Sequence, residues 1–254
     1  MLHQWELTIP SLSPRLRRRA YVYLPQEYSA QPQQRYPVMY MFDGQNVFLD
    51  SHATFGTSWG MYDYMNRTKT PLIIAAVECN SVGNGRLREY SPFPHASGEL
   101  GPIHPLGHAY MNWLVSSFKP MIDRKYRTLP DREHTLIAGS SMGGLMSLYA
   151  VSAYNHVFSR AACLSPSLWV NPDGVRRMIR RADYAEGTCI YMDYGRGEMG
   201  NHEASFAALS AASQALLARG TDLTFRIVPG GTHCEASWAK QVPAFMHCLG
   251  FSPA

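Results

Sequence analysis

The sequence has no long apolar run and few charged residues. None of its apolar runs approaches the ~20 residues that a helix needs to cross a bilayer, so no membrane-spanning segment is expected. Charged residues make up 17% of the 254 residues and hydrophobic residues 46%, with a formal net charge of +4. This composition excludes an intrinsically disordered chain and is typical of a globular protein with a substantial core.

Basic residues cluster in only two places, Arg15–Arg19 and Arg176–Arg181. Neither cluster has interleaved aromatic residues, and no nucleic-acid-binding module is recognisable. We therefore expect one solvated strand edge and one solvated helix face, with neither nucleic acid nor a membrane as a partner.

Cysteine is scarce, and its spacing is uninformative. The five cysteines stand at positions 79, 163, 189, 234 and 248 without a CxxC pair, which favours reduced thiols over a disulfide framework. The segment Met1–Pro10 alternates apolar and polar residues like a strand and lacks the charged start and apolar middle of a signal peptide. Both features predict a cytoplasmic protein. No zinc spacing, GxGxxG or P-loop motif occurs, so neither a metal nor a cofactor is expected.

The length suits a single α/β domain over residues 1–254. Short apolar runs alternate with helical stretches, and the later runs are apolar on both faces, as a parallel sheet covered by helices requires. The first two strands are expected to form an antiparallel hairpin that turns near Ser11–Pro14. The predicted strands are Trp5–Ile9, Arg19–Leu24, Val38–Phe42, Leu72–Val77, Thr135–Ala138, Arg160–Leu164, Cys189–Asp193 and Thr224–Val228. The predicted helices are Ser58–Met65, Gly107–Tyr126, Gly143–Tyr154, Pro172–Ala182, His202–Arg219 and Ala236–Leu249.

The stretch Cys79–Pro105 is irregular and rich in Gly, Pro, Ser, Asn and His. A loop of this length inside a domain is usually functional or disordered. It follows a predicted parallel strand, on the side of the sheet where such folds bind ligands. The wall of a substrate pocket is therefore favoured over an inert excursion.

The pentapeptide Gly139–Gly143 matches G-x-S-x-G. It follows a predicted strand and opens a predicted helix, which is the setting of a nucleophile elbow. The tight turn requires small flanking residues and would expose the hydroxyl of Ser141. The N–H of Met142 would then point to where an oxyanion forms.

A serine nucleophile needs a base and an acid. His233 follows the last predicted strand in a glycine-containing loop and is favoured as the base, with His202 as the alternative. The acid should follow the strand before it, where Asp193 and Glu198 compete. Glu198 is favoured because it lies further into the loop, and Asp193 would then bond loop amides.

The loop after the third strand should supply the second oxyanion donor, for which the N–H of Gln45 is the candidate. Aromatic residues near the expected site are candidate substrate contacts, although aromatic residues at such positions are as often in the core. These pocket candidates are Phe48, Trp59, Tyr90, His95 and Trp169. Cys234 is interpreted as a packing residue because Ser141 already occupies the elbow.

Five segments together resemble the putative esterase family, whose members include esterase D, feruloyl and acetyl xylan esterases, siderophore esterases and mycolyltransferase antigens. They are Tyr36–Phe48, Arg86–Pro92, Tyr126–Thr128, Gly139–Gly144 and Leu164–Trp169. The resemblance runs from about Tyr21 to Leu249 and implies an α/β-hydrolase fold with about eight mostly parallel strands and helices on both faces. It also implies Ser141, Glu198 and His233 as the triad and Gln45 and Met142 as the oxyanion amides. The family often has Asp at the acid position, where this chain has Glu.

These features predict a serine hydrolase that cleaves a small-molecule or carbohydrate-linked carboxylic ester through an acyl-enzyme. An acyltransferase is the close alternative, because an alcohol can replace water in the second step. A non-catalytic binding protein of the same fold is the alternative from another class. It is disfavoured because all three triad positions are occupied.

Overall fold

The computed structural model describes residues 1–97, 101–198 and 200–251. The described residues form ten strands and nine α-helices. The strands are β1 (Leu2–Ile9), β2 (Ser13–Tyr23), β3 (Val38–Met41), β4 (Ile73–Val77), β5 (His95–Ser97), β6 (Gly101–Ile103), β7 (Thr135–Ser140), β8 (Arg160–Leu164), β9 (Cys189–Gly195) and β10 (Asp222–Val228). The helices are α1 (Met61–Thr68), α2 (Gly85–Glu89), α3 (Gly107–Trp113), α4 (Lys119–Lys125), α5 (Met142–Ala153), α6 (Pro172–Arg181), α7 (His202–Leu217), α8 (Glu235–Ala239) and α9 (Val242–Cys248).

Eight strands form one sheet in the order β1-β2-β4-β3-β7-β8-β9-β10. β2 runs antiparallel to both β1 and β4, whereas every neighbouring pair from β4 to β10 is parallel. The predicted mostly parallel sheet that begins with an antiparallel hairpin is therefore confirmed. Because the last six strands are parallel, their carboxyl ends meet at one edge, and the loops that follow them converge there.

Helices cover both faces of the sheet because successive strand residues point to opposite sides. In β3, Val38 and Tyr40 pack into one core with residues of α3, α5, α6 and α7. Met39 and Met41 pack into the other core with residues of α1, α8 and α9. The confirmed fold is thus a doubly wound α/β sandwich of three layers.

Three predicted segments differ in detail from the structure. The expected helix Gly107–Tyr126 is interrupted by a π-helical turn, Leu114–Phe118, between α3 and α4. The expected helix Ala236–Leu249 is divided into α8 and α9, and Pro243 lies in the first turn of α9, where its missing N–H costs nothing. The irregular stretch Cys79–Pro105 contains α2 and the small β5–β6 hairpin, while its residues 98–100 lie outside the described residues. Arg18 of β2 forms a fully buried ion pair with Glu89 of α2, with N–O distances of 2.6 and 2.7 Å, and so anchors this segment to the sheet.

Candidate active site

Ser141 occupies a strained turn between β7 and α5. Its backbone has φ 58° and ψ −123°, a conformation that costs a non-glycine residue free energy and is concentrated at functional sites. The flanking glycines make this turn possible: a Cβ atom on Gly139 would lie 2.7 Å from the carbonyl carbon of Gly143. A Cβ on Gly144 would lie 2.9 Å from the carbonyl oxygen of Leu164. The local sequence therefore fixes the elbow that was expected around Ser141.

His233 and Glu198 are in direct contact above the carboxyl ends of β9 and β10. Nδ1 of His233 lies 2.9 Å from Oε2 of Glu198, whose side chain is 4% exposed against 38% for the histidine. The other carboxylate oxygen accepts hydrogen bonds from the N–H of Gly195, at 2.9 Å, and from the hydroxyl of Ser165. A Cβ on Gly195 would come within 2.5 Å of the carbonyl oxygen of Gly231, so the loops that carry the two side chains are closely packed.

The surroundings of Glu198 keep it ionised. Burial alone would raise its pKa, but the hydrogen bonds from His233, Ser165 and Gly195 lower it further than burial raises it. A buried carboxylate with a lowered pKa holds its charge at neutral pH. It can therefore orient the imidazole and stabilise its protonated form.

Asp193, the competing carboxylate, has different partners. It accepts hydrogen bonds from the N–H of Ser165 at 3.0 Å and from the hydroxyl of Tyr191 at 2.9 Å. Burial raises the pKa of Asp193 to about 6. Its hydrogen bonds thus support the turn at Ser165, whereas the hydrogen bond to His233 belongs to Glu198.

Ser165 and Trp238 join the site although the sequence did not single out either residue. The hydroxyl of Ser165 accepts a hydrogen bond from Nε1 of Trp238 at 3.0 Å and donates one to Glu198. Ser165 itself has a φ of 42°, so it is held in a left-handed turn after β8. The Leu164–Trp169 motif contained a signal for Ser165, but no local pattern marks Trp238.

The hydroxyl of Ser141 lies 3.4 Å from that of Ser167, and the structure contains no hydrogen bond between Ser141 and His233. Both side chains nevertheless line the same two cavities. Hydrogen bonds at such sites are often long in the absence of substrate. The arrangement leaves room at Ser141 for a group that contacts both side chains.

The two candidate oxyanion donors stand near the starts of helical segments. Met142 is the first residue of α5, and Gln45 is the second residue of a single 3-10 turn, so neither N–H has an acceptor within its own turn. The preceding Asp43 has a φ of 54° and is held by a bidentate ion pair with Arg86 at 2.7 and 2.8 Å. The side chain of Gln45 accepts a hydrogen bond from the N–H of Cys79, which ties this turn to the loop after β4.

Two cavities meet at Ser141 and His233. The polar cleft, of about 620 Å³, is lined on its outer walls by Gln45, Glu78, Asn80, Arg86 and Glu235 among others. The Trp169 cleft, of about 580 Å³, has walls that include Pro166, Trp169, Tyr194 and Asn201. One cleft therefore presents charged and amide groups beside Phe55 and Trp238, and the other presents aromatic and small side chains.

The expected substrate contacts of Phe48 and Tyr90 need correction. Phe48 is 2% exposed and packs against Tyr21, and Tyr90 is fully buried between other aromatic rings. Neither lines either cleft, because both side chains point into the hydrophobic core. Trp169 is different: it is 53% exposed and forms part of the Trp169 cleft.

A cysteine thiol lies in the wall of the polar cleft. Cys79 lines the polar cleft, but burial raises the pKa of its thiol to about 12, so it stays protonated at neutral pH.

Across the described ranges, no group of three or more His, Cys, Asp or Glu side chains is placed to hold a metal ion. None of the helices in these ranges is long and apolar enough to cross a membrane.

Comparison with known proteins links this chain to esterases. A curated relative, the uncharacterised protein YbbA of Bacillus subtilis (strain 168), is 24% identical over 184 residues, which are 71% of this chain and 69% of YbbA. A ferulic acid esterase structure matches with a TM-score of 0.70 and 21% identity over 98% of this chain and 96% of its own. An IroE-like serine hydrolase from Shewanella oneidensis matches with a TM-score of 0.77 and 19% identity over 97% and 79% of the two chains.

The family assignment rests on sequence as well as on fold. Residues 11–247 match the family described as "Putative esterase", which is nearly the whole chain and includes the elbow, the Glu198 loop and the His233 loop. The chain belongs to the putative esterase family.

Proposed function

We propose that the protein is a serine carboxylic ester hydrolase that works through an acyl-enzyme. Ser141 is the nucleophile, His233 the general base and acid, and Glu198 the residue that orients the imidazole. The N–H groups of Gln45 and Met142 bind the oxyanion. The observation that carries the proposal is the 2.9 Å contact between His233 and buried Glu198, on a cavity wall shared with the strained Ser141.

In the first half-reaction, Ser141 Oγ attacks the ester carbonyl carbon while Nε2 of His233 takes up the hydroxyl proton. The negative charge that develops on the carbonyl oxygen is stabilised by the two backbone donors. The tetrahedral intermediate collapses when the bond to the alcohol oxygen breaks. His233 returns the proton to that oxygen, so the alcohol leaves and the acyl group stays on Ser141.

In the second half-reaction, water takes the place of the alcohol. His233 removes a proton from the water, whose oxygen attacks the acyl carbon, and the acid is released when Ser141 recovers its proton. Throughout, the ionised Glu198 stabilises the imidazolium through the Nδ1 contact. Its lowered pKa supports this role because the carboxylate does not need to give up a proton at neutral pH.

The substrate we propose is a small-molecule or carbohydrate-linked ester with a group of appreciable size on each side of the ester bond. The two clefts of about 620 and 580 Å³ on either side of Ser141 support this choice. Ferulic acid esterases are among the similar structures, and the exposed Trp169 offers a flat apolar surface to one half of such a substrate.

Replacement of Ser141 by Ala tests the proposal. The variant should lose turnover of p-nitrophenyl esters and labelling by a fluorophosphonate probe, while its circular dichroism and melting temperature stay near those of the unsubstituted protein. Ser167→Ala is the matched control, because it removes a neighbouring hydroxyl at 3.4 Å and should retain labelling. Turnover within tenfold of the unsubstituted protein after Ser141→Ala would assign the nucleophile elsewhere. A product assay with added acceptor alcohol distinguishes hydrolysis from acyl transfer.

A further inference from the structure

Two of the five cysteines lie side by side at the amino-terminal end of β9. The candidate active site lies at the opposite, carboxyl ends of the strands. Cys189 is the first residue of β9 and Cys248 is the last residue of α9, and their sulfur atoms are 3.9 Å apart. Glu198 follows the far end of β9, so the length of this strand, about 20 Å, separates the pair from the Ser141 region.

Polar contacts hold the end of α9 against the sheet at this point. The thiol of Cys189 lies 3.4 Å from the backbone oxygen of Cys248, to which it donates. The guanidinium of Arg160, on the neighbouring strand, donates to the backbone oxygen of Leu249 at 2.6 Å. These two contacts hold the end of α9 beside the start of β9, where the two sulfur atoms meet.

The two thiols differ in access and in acidity. Cys189 is buried, whereas Cys248 is partly exposed. The hydrogen bond from Cys189 lowers the pKa of the Cys248 thiol, although burial opposes this change. An accessible thiol with a lowered pKa beside a buried thiol is the arrangement in which one sulfur reacts first and the other displaces the attached group.

We propose that Cys189 and Cys248 form a reversible intramolecular disulfide in exchange with low-molecular-weight disulfides such as oxidised glutathione. The Cys248 thiolate attacks one sulfur of the small disulfide, whose S–S bond breaks and releases one thiolate. The sulfur of Cys189 then attacks Cys248 in the mixed disulfide and releases the second thiolate. Two electrons pass from the cysteines to the small disulfide, and the two cysteine protons go to the released thiolates.

Formation of this bond would link the start of β9 to the last helix. The sulfur atoms must close from 3.9 Å to the ~2 Å of a disulfide. The closed segment, residues 189–248, contains both Glu198 and His233. Oxidation should therefore stabilise the part of the chain that carries them without blocking either cleft.

The test uses the full chain equilibrated with reduced or oxidised glutathione. After oxidation, the intact mass should fall by two hydrogens, and peptide mapping should find Cys189 joined to Cys248. The melting temperature should rise by about 5–15 °C, the scale expected when a long loop is closed in a protein of this size. Added dithiothreitol should reverse both changes.

Two variants separate this pair from the other thiols. Cys248→Ser should remove the cross-link and the rise in melting temperature, and Cys234→Ser, which alters another partly buried thiol, should keep both. Each of three outcomes would overturn the proposal. The oxidised protein could retain five free thiols, it could carry a persistent mixed disulfide on Cys248 alone, or Cys248→Ser could show an equal rise in melting temperature. The peptide map of the unsubstituted protein decides the matter even if a variant folds poorly.

Discussion

Trp238 donates its indole N–H to the hydroxyl of Ser165 at a distance of 3.0 Å. The same indole ring meets the His233 imidazole edge-on, with ring centroids 5.0 Å apart and planes at 81°. Because Ser165 in turn donates to Glu198, one tryptophan side chain contacts the base directly and the acid through a single hydroxyl. Trp238 and Ser165 are therefore positioning residues in the proposed mechanism.

We expect Trp238→Phe to lower kcat by about fivefold with little change in KM, because it keeps a ring against His233 but removes one neutral hydrogen bond of ~1 kcal/mol. Trp59→Phe makes the same exchange in a buried ring 6.4 Å away and should leave kcat unchanged. Steady-state kinetics of the two variants with one p-nitrophenyl ester measures the difference. Equal effects would show that Trp238 acts only through packing.

Ser165→Ala should have a larger effect, lowering kcat by ~10–100-fold, because the lost hydrogen bond goes to a charged carboxylate. Removal of this donor also raises the pKa of Glu198, since the hydrogen bond stabilises the ionised form. Protonation of Glu198 adds a second decrease in kcat at the acidic end of the profile, and this second decrease should therefore begin at higher pH in Ser165→Ala. A kcat that falls without this change would indicate a merely structural role for Ser165.

Glu198→Gln and Asp193→Asn form a matched pair of charge-neutralising substitutions. Glu198→Gln should lower kcat by ~10²–10⁴, the scale observed when the acid of a triad is neutralised. Asp193→Asn should lower kcat much less, because its hydrogen bonds go to Ser165 and Tyr191. If the ranking were reversed, the orienting role would pass to Asp193.

Asp193 should also leave a signature in the pH dependence of stability. Its pKa is raised to about 6 in the folded protein, above its ordinary value of 3.8, so the unfolded chain releases this proton first. Ionisation of Asp193 therefore destabilises the fold progressively as pH rises through this window, by ~3 kcal/mol when complete. Relative to Asp193→Asn, the unsubstituted protein should lose free energy of unfolding between pH 4 and 6 in urea titrations. A constant difference between the two proteins would contradict this assignment.

The proposed base gives the pH profile its acid limb. A protonated imidazole cannot accept the Ser141 proton, so kcat/KM should fall at low pH. His233→Ala should remove this limb along with nearly all of the rate, and chelators should leave the activity of the unsubstituted protein unchanged. Retention of the limb in His233→Ala, or loss of activity with a chelator, would contradict the mechanism.

The strands of the main sheet and the turn at Ser141 are predicted by local sequence patterns. Alternating or continuous apolar runs predicted all eight strands of the main sheet, and the glycines around Ser141 predicted the elbow that the backbone adopts. The order of strands and loops was enough to place Glu198 and His233 on converging loops, because the ends of parallel strands share one edge.

The remaining features of the site depend on tertiary contacts, which the sequence does not reveal. Phe48 and Tyr90 belong to motifs near the site, but sequence does not distinguish an aromatic ring that lines a cleft from one that points into the core behind it. Trp238 is joined to Ser165 across 73 positions of the chain, and Cys189 to Cys248 across 59, so no local spacing signals either contact. These contacts depend on how α8 and α9 pack against the sheet.

The two clefts share Ser141 and His233, but their outer walls come from different parts of the chain. Residues 45–86, with Glu235 and Trp238, supply the polar cleft, and residues 165–205 supply the Trp169 cleft. In the proposed mechanism, the acyl half and the alcohol half of a substrate would therefore contact different segments of the chain. Mutations could diversify one preference while the other is conserved, and chimeras that exchange the 45–86 region between relatives should transfer selectivity for one half only.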